Sequence, residues 1–281
     1  MLRNSLQIGL ALCQLFVIWA TAVQADSPVG DESRPACCRH EGGEIAQLHK
    51  NADLLYSQFK PKEAVTELLK ILQIDGNNFE ALVKLARAHI DIGDLLPESG
   101  VNWQEPKLKE YMTARDYARK ALRVNPKSTW SHFWIAAAVG SIAVVSPVSK
   151  QVELSTEIRD EVEKSIALDP KNGLAYHVYG VWHRKVAEIG GASRMLASMV
   201  FGKSLPKGSL EKSIEYLKKA VTLNPAAIVS RLELARSYAA KLEWPEARAS
   251  LKSIGELPVQ FSDDAKHKQQ ALAMLEELKD R

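Results

Sequence analysis

The chain has 281 residues, 46% of them hydrophobic and 25% charged, a globular composition too apolar for a disordered chain and too charged for a polytopic membrane protein. Three cysteines cannot staple a scaffold of this length. A net charge of +3 lacks the dense basic face of a nucleic-acid binder.

Residues 1–25 differ from the rest. Arg3 supplies a positive start, Ile8 to Val23 is apolar apart from Gln14 and Thr21, and Val23-Gln24-Ala25 sets small residues two apart. This is the pattern of a secretory signal peptide. The alternative is an uncleaved N-terminal anchor, although the apolar run is near the short limit for a ~30 Å hydrocarbon core. Residues 26–42 hold Pro28, Gly30, Pro35 and Gly42 without apolar periodicity, which predicts a disordered linker. Cys37 and Cys38 lie there beside His40. A structural zinc site needs two separated ligand pairs, so the expectation is a tether with thiols open to intermolecular bridging.

From residue 43 to 281 the pattern predicts one helical domain. Four amphipathic helices end alike: Ile74-Asp75-Gly76, Val124-Asn125-Pro126, Leu168-Asp169-Pro170 and Leu223-Asn224-Pro225. Proline cannot continue the helix it follows, and its fixed φ suits the first turn of the next. The helices after these turns carry a large residue followed by a small one, as in Leu85-Ala86, Ile135-Ala136, Tyr179-Gly180 and Leu234-Ala235. The helices before them offer Ala114, Ala121, Ser165, Ser213 and Ala220. That is the complementarity close helix packing demands. The apolar stretch Trp130 to Val145 is too short to span a bilayer and reads as a buried helix.

Over residues 44–258 this pattern resembles the tetratricopeptide repeat. Ile158 stands where a small residue is expected, and Gly76 where the other turns have Pro. The turn prolines lie 44 and 55 residues apart (126 to 170 to 225), against ~34 for the standard unit, so the repeats carry insertions. One is a predicted loop from Gly93 to Pro106. The other runs from Arg184 to Gly208, and its stretch Ala192 to Phe201 reads as an amphipathic flap. Gly180-Val181-Trp182-His183, Phe201-Gly202-Lys203 and the helix Ser209 to Ala220 are similar to the regulator of microtubule dynamics family over residues 174–225. The resemblance implies a divergent tetratricopeptide domain that binds without catalysis, often behind an N-terminal membrane segment. Some animal members are microtubule-associated, and one relative tethers membranes and binds phospholipid. The export-like start of this chain is at odds with a microtubule role.

No G-x-S-x-G, H-E-x-x-H or Gly-rich phosphate loop is present, and His177 and His183 are six apart on one helix and face different ways. The expectation is a non-enzymatic binding protein with no cofactor and no metal. Repeat solenoids bind on the concave face. The repeat register puts Arg87, Trp130, Phe133, His177, Val181, Arg184, Leu232 and Arg236 there, an apolar middle with arginines toward both ends. The arginines suit a carboxylate or phosphate, and the aromatic middle a hydrocarbon or aromatic group. The alternative is that the apolar residues are core and the arginines a solvated face. A protein or peptide segment is the first partner, and a lipid in a closed apolar cavity the alternative. Residues 262–281, with Leu272, Leu275 and Leu278, predict a polar capping helix over the last repeat.

Overall fold

The computed structural model describes residues 36–189, Arg194, Met199 and residues 206–281, the first six of these through their backbone only. The targeting segment expected over 1–25, the thiols of Cys37 and Cys38, the imidazole of His40 and most of the flap at 192–201 lie outside the described residues. Eleven helices are delimited among these residues: α1 (Ala36–Ser57), α2 (Pro61–Ile74), α3 (Phe79–Leu95), α4 (Gln104–Val124), α5 (Thr129–Val144), α6 (Val148–Leu168), α7 (Gly173–Ala187), α8 (Leu210–Leu223), α9 (Ile228–Ala240), α10 (Trp244–Lys252) and α11 (Asp264–Glu277). The last part of the expected linker is helical, since α1 starts at Ala36. The chain divides into residues 1–44 and a compact unit from Ile45 to Arg281, and the solenoid belongs to the second.

The fold is an all-α, tetratricopeptide-like solenoid of five helix pairs and a C-terminal helix. Its repeating turn has a local cause. In the first three turns the side chain of Asp75, Asn125 or Asp169 accepts the backbone N–H two residues on, at 3.0, 3.2 and 2.9 Å. One residue later Asn78, Ser128 or Asn172 caps the next helix by accepting from Ala81, Ser131 or Ala175. Short polar side chains are favoured at such caps because they satisfy N–H groups that have no intrahelical partner. The fourth turn, Asn224 to Ala227, keeps the backbone bond from Ala227 N–H to Asn224 C=O at 3.1 Å but has no side-chain cap on α9. Within pairs, the chain turns between α1 and α2 at Phe59 (φ 57°) and between α9 and α10 at Leu242 (φ 63°), a left-handed conformation that strains a residue with a Cβ.

Large and small residues meet as the sequence demands. Ala114, Ala121, Ser165, Ser213 and Ala220 are all buried. At Gly180 of α7 an added Cβ would fall 2.5 Å from Leu217 Cγ of α8, and Ser213 Oγ donates to the Gly180 carbonyl at 2.7 Å. Gly93 is likewise a packing glycine: it lies inside α3, where a Cβ would meet the Tyr111 ring at 2.4 Å. The predicted loop from Gly93 to Pro106 is therefore shorter, between Leu95 and Gln104. From α2 on, each helix packs on the next. In addition α3 touches α5, α5 touches α7, α7 touches α9 and α9 touches α11, so the first helices of successive pairs form one continuous inner row. Ile135, Val139 and Ile142 of α5 sit in the largest core cluster. Among the described residues no helix is long and apolar enough to cross a membrane.

Candidate functional site

The inner row carries two polar ends. Toward the start of the solenoid, α3 presents Arg87, Asp91 and Asp94 at helical spacing, so they share a face. The Tyr56 hydroxyl of α1 donates to Asp91 at 2.7 Å, and the Arg87 guanidinium lies 4.3 Å from the centre of the Tyr56 ring and 3.7 Å from Asp91. The Tyr111 hydroxyl of α4 donates to Asp94 at 2.7 Å. Lys107 of α4, only 2% exposed, reaches Glu98 at 3.2 Å. Burial pushes Asp91 up to about 6 against the pull of Arg87 and Tyr56. It pushes Asp94 up to about 7, with Asp263 and Asp91 adding repulsion while Tyr111 and Lys107 oppose.

Toward the other end, Glu233 of α9 is buried between two guanidinium groups, those of Arg184 of α7 and Arg236 of α9, and accepts hydrogen bonds from both. Burial raises the Glu233 carboxyl, but Arg184 and then Arg236 hold it below its ordinary value. Arg184 also donates to Glu188 at 3.0 Å, and Arg236 to Gln270 of α11 at 3.0 Å. His177 of α7 faces Ser230 of α9, its Nδ1 3.1 Å from the hydroxyl. Burial takes its pKa down to about 4 although Glu233 pulls it up, so the ring is neutral at pH 7.

The eight expected groove residues divide between core and inner row. Phe133 and Leu232 are buried in the core clusters, with Trp130 at the edge of the first, its ring 6.1 Å from that of Phe133. Val181 packs on the second cluster. Arg87, Arg184 and Arg236 all lie on the inner row, and each has an acidic partner from the chain itself. On α9 the inward residue is Glu233 rather than its neighbour Leu232. Sequence patterning passed over Asp91 and Asp94, although their spacing from Arg87 on one helix was a usable signal. It also passed over the role of the C-terminus.

The C-terminal helix does cap the last pair, through Ala271 and Leu278, while Leu272 stays exposed. Its lead-in does something else. The irregular stretch after α10 brings Gln260, Phe261 and Ser262 beside Tyr56, Arg87 and Asp91, with the Phe261 ring 5.6 Å from the Arg87 guanidinium. Lys266 reaches Glu98 at 2.8 Å. This arm, residues 257–266, thus runs along the inner row from the last pair back to the first two. Where it meets the end of α3 it leaves a cavity of about 310 Å³ lined by Asp94, Leu95, Pro97, Glu98, Asp263 and Lys266 among others.

Asp263, Asp264 and His267 bring one potential ligand atom each within 4.8 Å of one another. Asp264 instead ties the arm's turn, accepting from the N–H groups of Gln260 and Phe261 at 2.7 and 2.8 Å. A cation there would also face the positive end of α11. Asp264 therefore orders the turn that leads into α11, and Asp263 pairs with His267 at 3.6 Å.

The fold is shared with a thermophilic tetratricopeptide protein of Thermus thermophilus: TM-score 0.55, 16% identity, 82% of this chain and 99% of that one. Regulator of microtubule dynamics protein 1 of Bos taurus is 27% identical over 239 residues, covering 85% of this chain and 73% of that protein. The protein of the same name from Mus musculus is 27% identical over 186 residues, 66% of this chain and 59% of that one. Regulator of microtubule dynamics protein 3 of Rattus norvegicus is 25% identical over 226 residues, 79% of this chain but 46% of that protein. A family profile described as Regulator of microtubule dynamics protein 1-3 matches residues 48–279, and with the repeat turns and packing glycines already in place, the chain belongs to that family.

Proposed function

We propose that this protein is a non-enzymatic adaptor whose inner row of helices receives an extended segment of a protein partner. One observation carries the reading: that face already receives a non-helical stretch of polypeptide, the chain's own residues 257–263, with Phe261 beside Arg87 and Lys266, just beyond the stretch, on Glu98. Extended segments need polar groups spaced along the receiving surface, and Arg87, Asp91, Glu233 and Arg236 supply them. The scaffold fold and the names of the relatives support binding rather than catalysis. A lipid would need an enclosed apolar cavity; the cavity of about 310 Å³ on this face has Asp94, Glu98, Asp263 and Lys266 in its wall, which favours the peptide.

The test is a photo-crosslinking residue placed at Val181 on the inner row and, separately, at Arg119 on α4. Partner adducts from Val181 alone, weakened by Arg87→Ala or Arg236→Ala, are expected. Adducts from Arg119 alone overturn the reading. The names of the relatives favour a second reading, in which the partner is a microtubule or a protein bound to one. Co-sedimentation of the full chain with polymerised tubulin tests it, and a chain left in the supernatant overturns it. The apolar segment at residues 8–23 supports export or attachment to a membrane through the N-terminus, which N-terminal sequencing of the chain from its own host decides.

A further inference from the structure

The arm is an imperfect occupant of the face it fills. Phe261 is well matched, since an aromatic ring beside the Arg87 guanidinium is a favourable pairing at the observed 5.6 Å. Lys266 is also matched, by Glu98 at 2.8 Å. Asp263 is not. It adds a third carboxylate beside Asp91 and Asp94, whose counter-charges, Arg87 and Lys107, belong to the solenoid and are already engaged there. The neighbouring cavity of about 310 Å³, walled by Asp94, Glu98, Asp263 itself and Lys266, which engages Glu98, has space for a longer side chain than aspartate, with Asp94 as the carboxylate it would meet. A lysine or arginine at the Asp263 position would reach into it and attract Asp94 instead of repelling it.

We infer that this end of the groove takes a partner segment with an aromatic residue followed two positions later by a lysine or arginine, and that the arm competes with it as a built-in, deliberately weaker occupant. The inference rests on the adaptor reading above and adds the chemistry of the partner. In the closed form the arm covers Arg87 and Asp91. A partner then binds only the fraction of molecules whose arm is open, and its apparent affinity falls by that fraction.

The probe is a fluorescein-labelled peptide of residues 257–268 in two forms, the native sequence and one with Asp263 replaced by Lys. Each is titrated against the full chain and against full-length Phe261→Ala/Lys266→Glu, which releases the arm but keeps Ala271 and Leu278 in place. Hydrogen exchange at residues 260–263 confirms the release, and the melting temperature confirms the fold. The lysine peptide is expected to bind the released variant about tenfold tighter than it binds the native chain, and tighter than the native-sequence peptide does. Equal affinity of the two peptides overturns the proposed chemistry. Equal affinity of the lysine peptide for the native and released chains overturns the competition. In either case partner adducts at Val181 would leave the adaptor reading standing, whereas adducts from Arg119 alone would remove both.

Discussion

The ammonium of Lys266 lies 2.8 Å from the carboxylate of Glu98, across 168 positions of sequence. Both groups are about half exposed, so the pair itself contributes only about 0.2–1 kcal/mol. Its effect is positional, because it holds the start of α11 against the loop after α3. Lys266→Glu is expected to speed hydrogen exchange at residues 260–263 with little change in melting temperature. Lys266→Arg keeps the cation opposite Glu98 and is expected to keep exchange slow. Unchanged exchange in Lys266→Glu would mean that the arm is held elsewhere.

Glu233 sets up the opposite case, a buried pair. Its carboxylate is the partner of the buried Arg184, and Glu233→Ala leaves that guanidinium with Glu188 alone at the helix surface. Loss of one member of a buried pair costs about 3–5 kcal/mol, measured as a shift in the urea midpoint. Glu233→Gln keeps an acceptor and is expected to cost less.

The two polar ends respond to pH with opposite sign. Glu233 has a folded pKa below its ordinary value; its contribution is present above the unfolded pKa of about 4.3 and is lost as pH falls through the folded value. Asp94 has a folded pKa raised to about 7. Its contribution is fully present below the unfolded value of about 3.9 and is lost as pH rises through about 7. Tyr111, Lys107, Asp91 and Asp263 all face it. Asp94→Asn is therefore expected to gain on the native chain in stability as pH is raised from 5 to 8. Parallel stability profiles would show that Asp94 is ionised throughout that range.

Ala235 is fully buried where α9 packs on its neighbours. Ala235→Leu is expected to destabilise by ~1–3 kcal/mol through overpacking. Gly180→Ala is expected to do the same, because its Cβ would fall 2.5 Å from Leu217 Cγ. An unchanged melting temperature in both would refute the large–small pairing of α7 and α8.

Leu242 holds a left-handed φ of 63° with an exposed side chain. A residue with a Cβ is strained by about 1–2 kcal/mol there, so Leu242→Gly is expected to raise the melting temperature despite glycine's greater unfolded-state freedom. A lower value would mean that the leucine side chain contributes more than its exposure indicates.

The helix pairs were legible because their causes are local. Asp75, Asn125 and Asp169 each bond two residues on, and Gly180 faces a residue 37 positions away through regular helix geometry. On α9 Leu232 is core and Glu233 faces inward; the two are neighbours, and a leucine is the more obvious lining for an apolar groove. Burial of Glu233 is made tolerable by Arg236 on its own helix and by Arg184, 49 positions earlier, a pairing which no periodicity reports. The arm was read as part of a cap for a similar reason: Leu275 and Leu278 announce packing on the last pair, but nothing in Gln260-Phe261-Ser262-Asp263 announces a destination at the first.

An open solenoid is a line of neighbours, each stabilised only by the next, so its ends fray first and its repeats can melt one by one. Here Phe261 at Arg87 and Lys266 at Glu98 join the last pair to the first two. The arm is thus a weak tie between the two ends of the stack, and a partner that displaced it would also free those ends to fray separately.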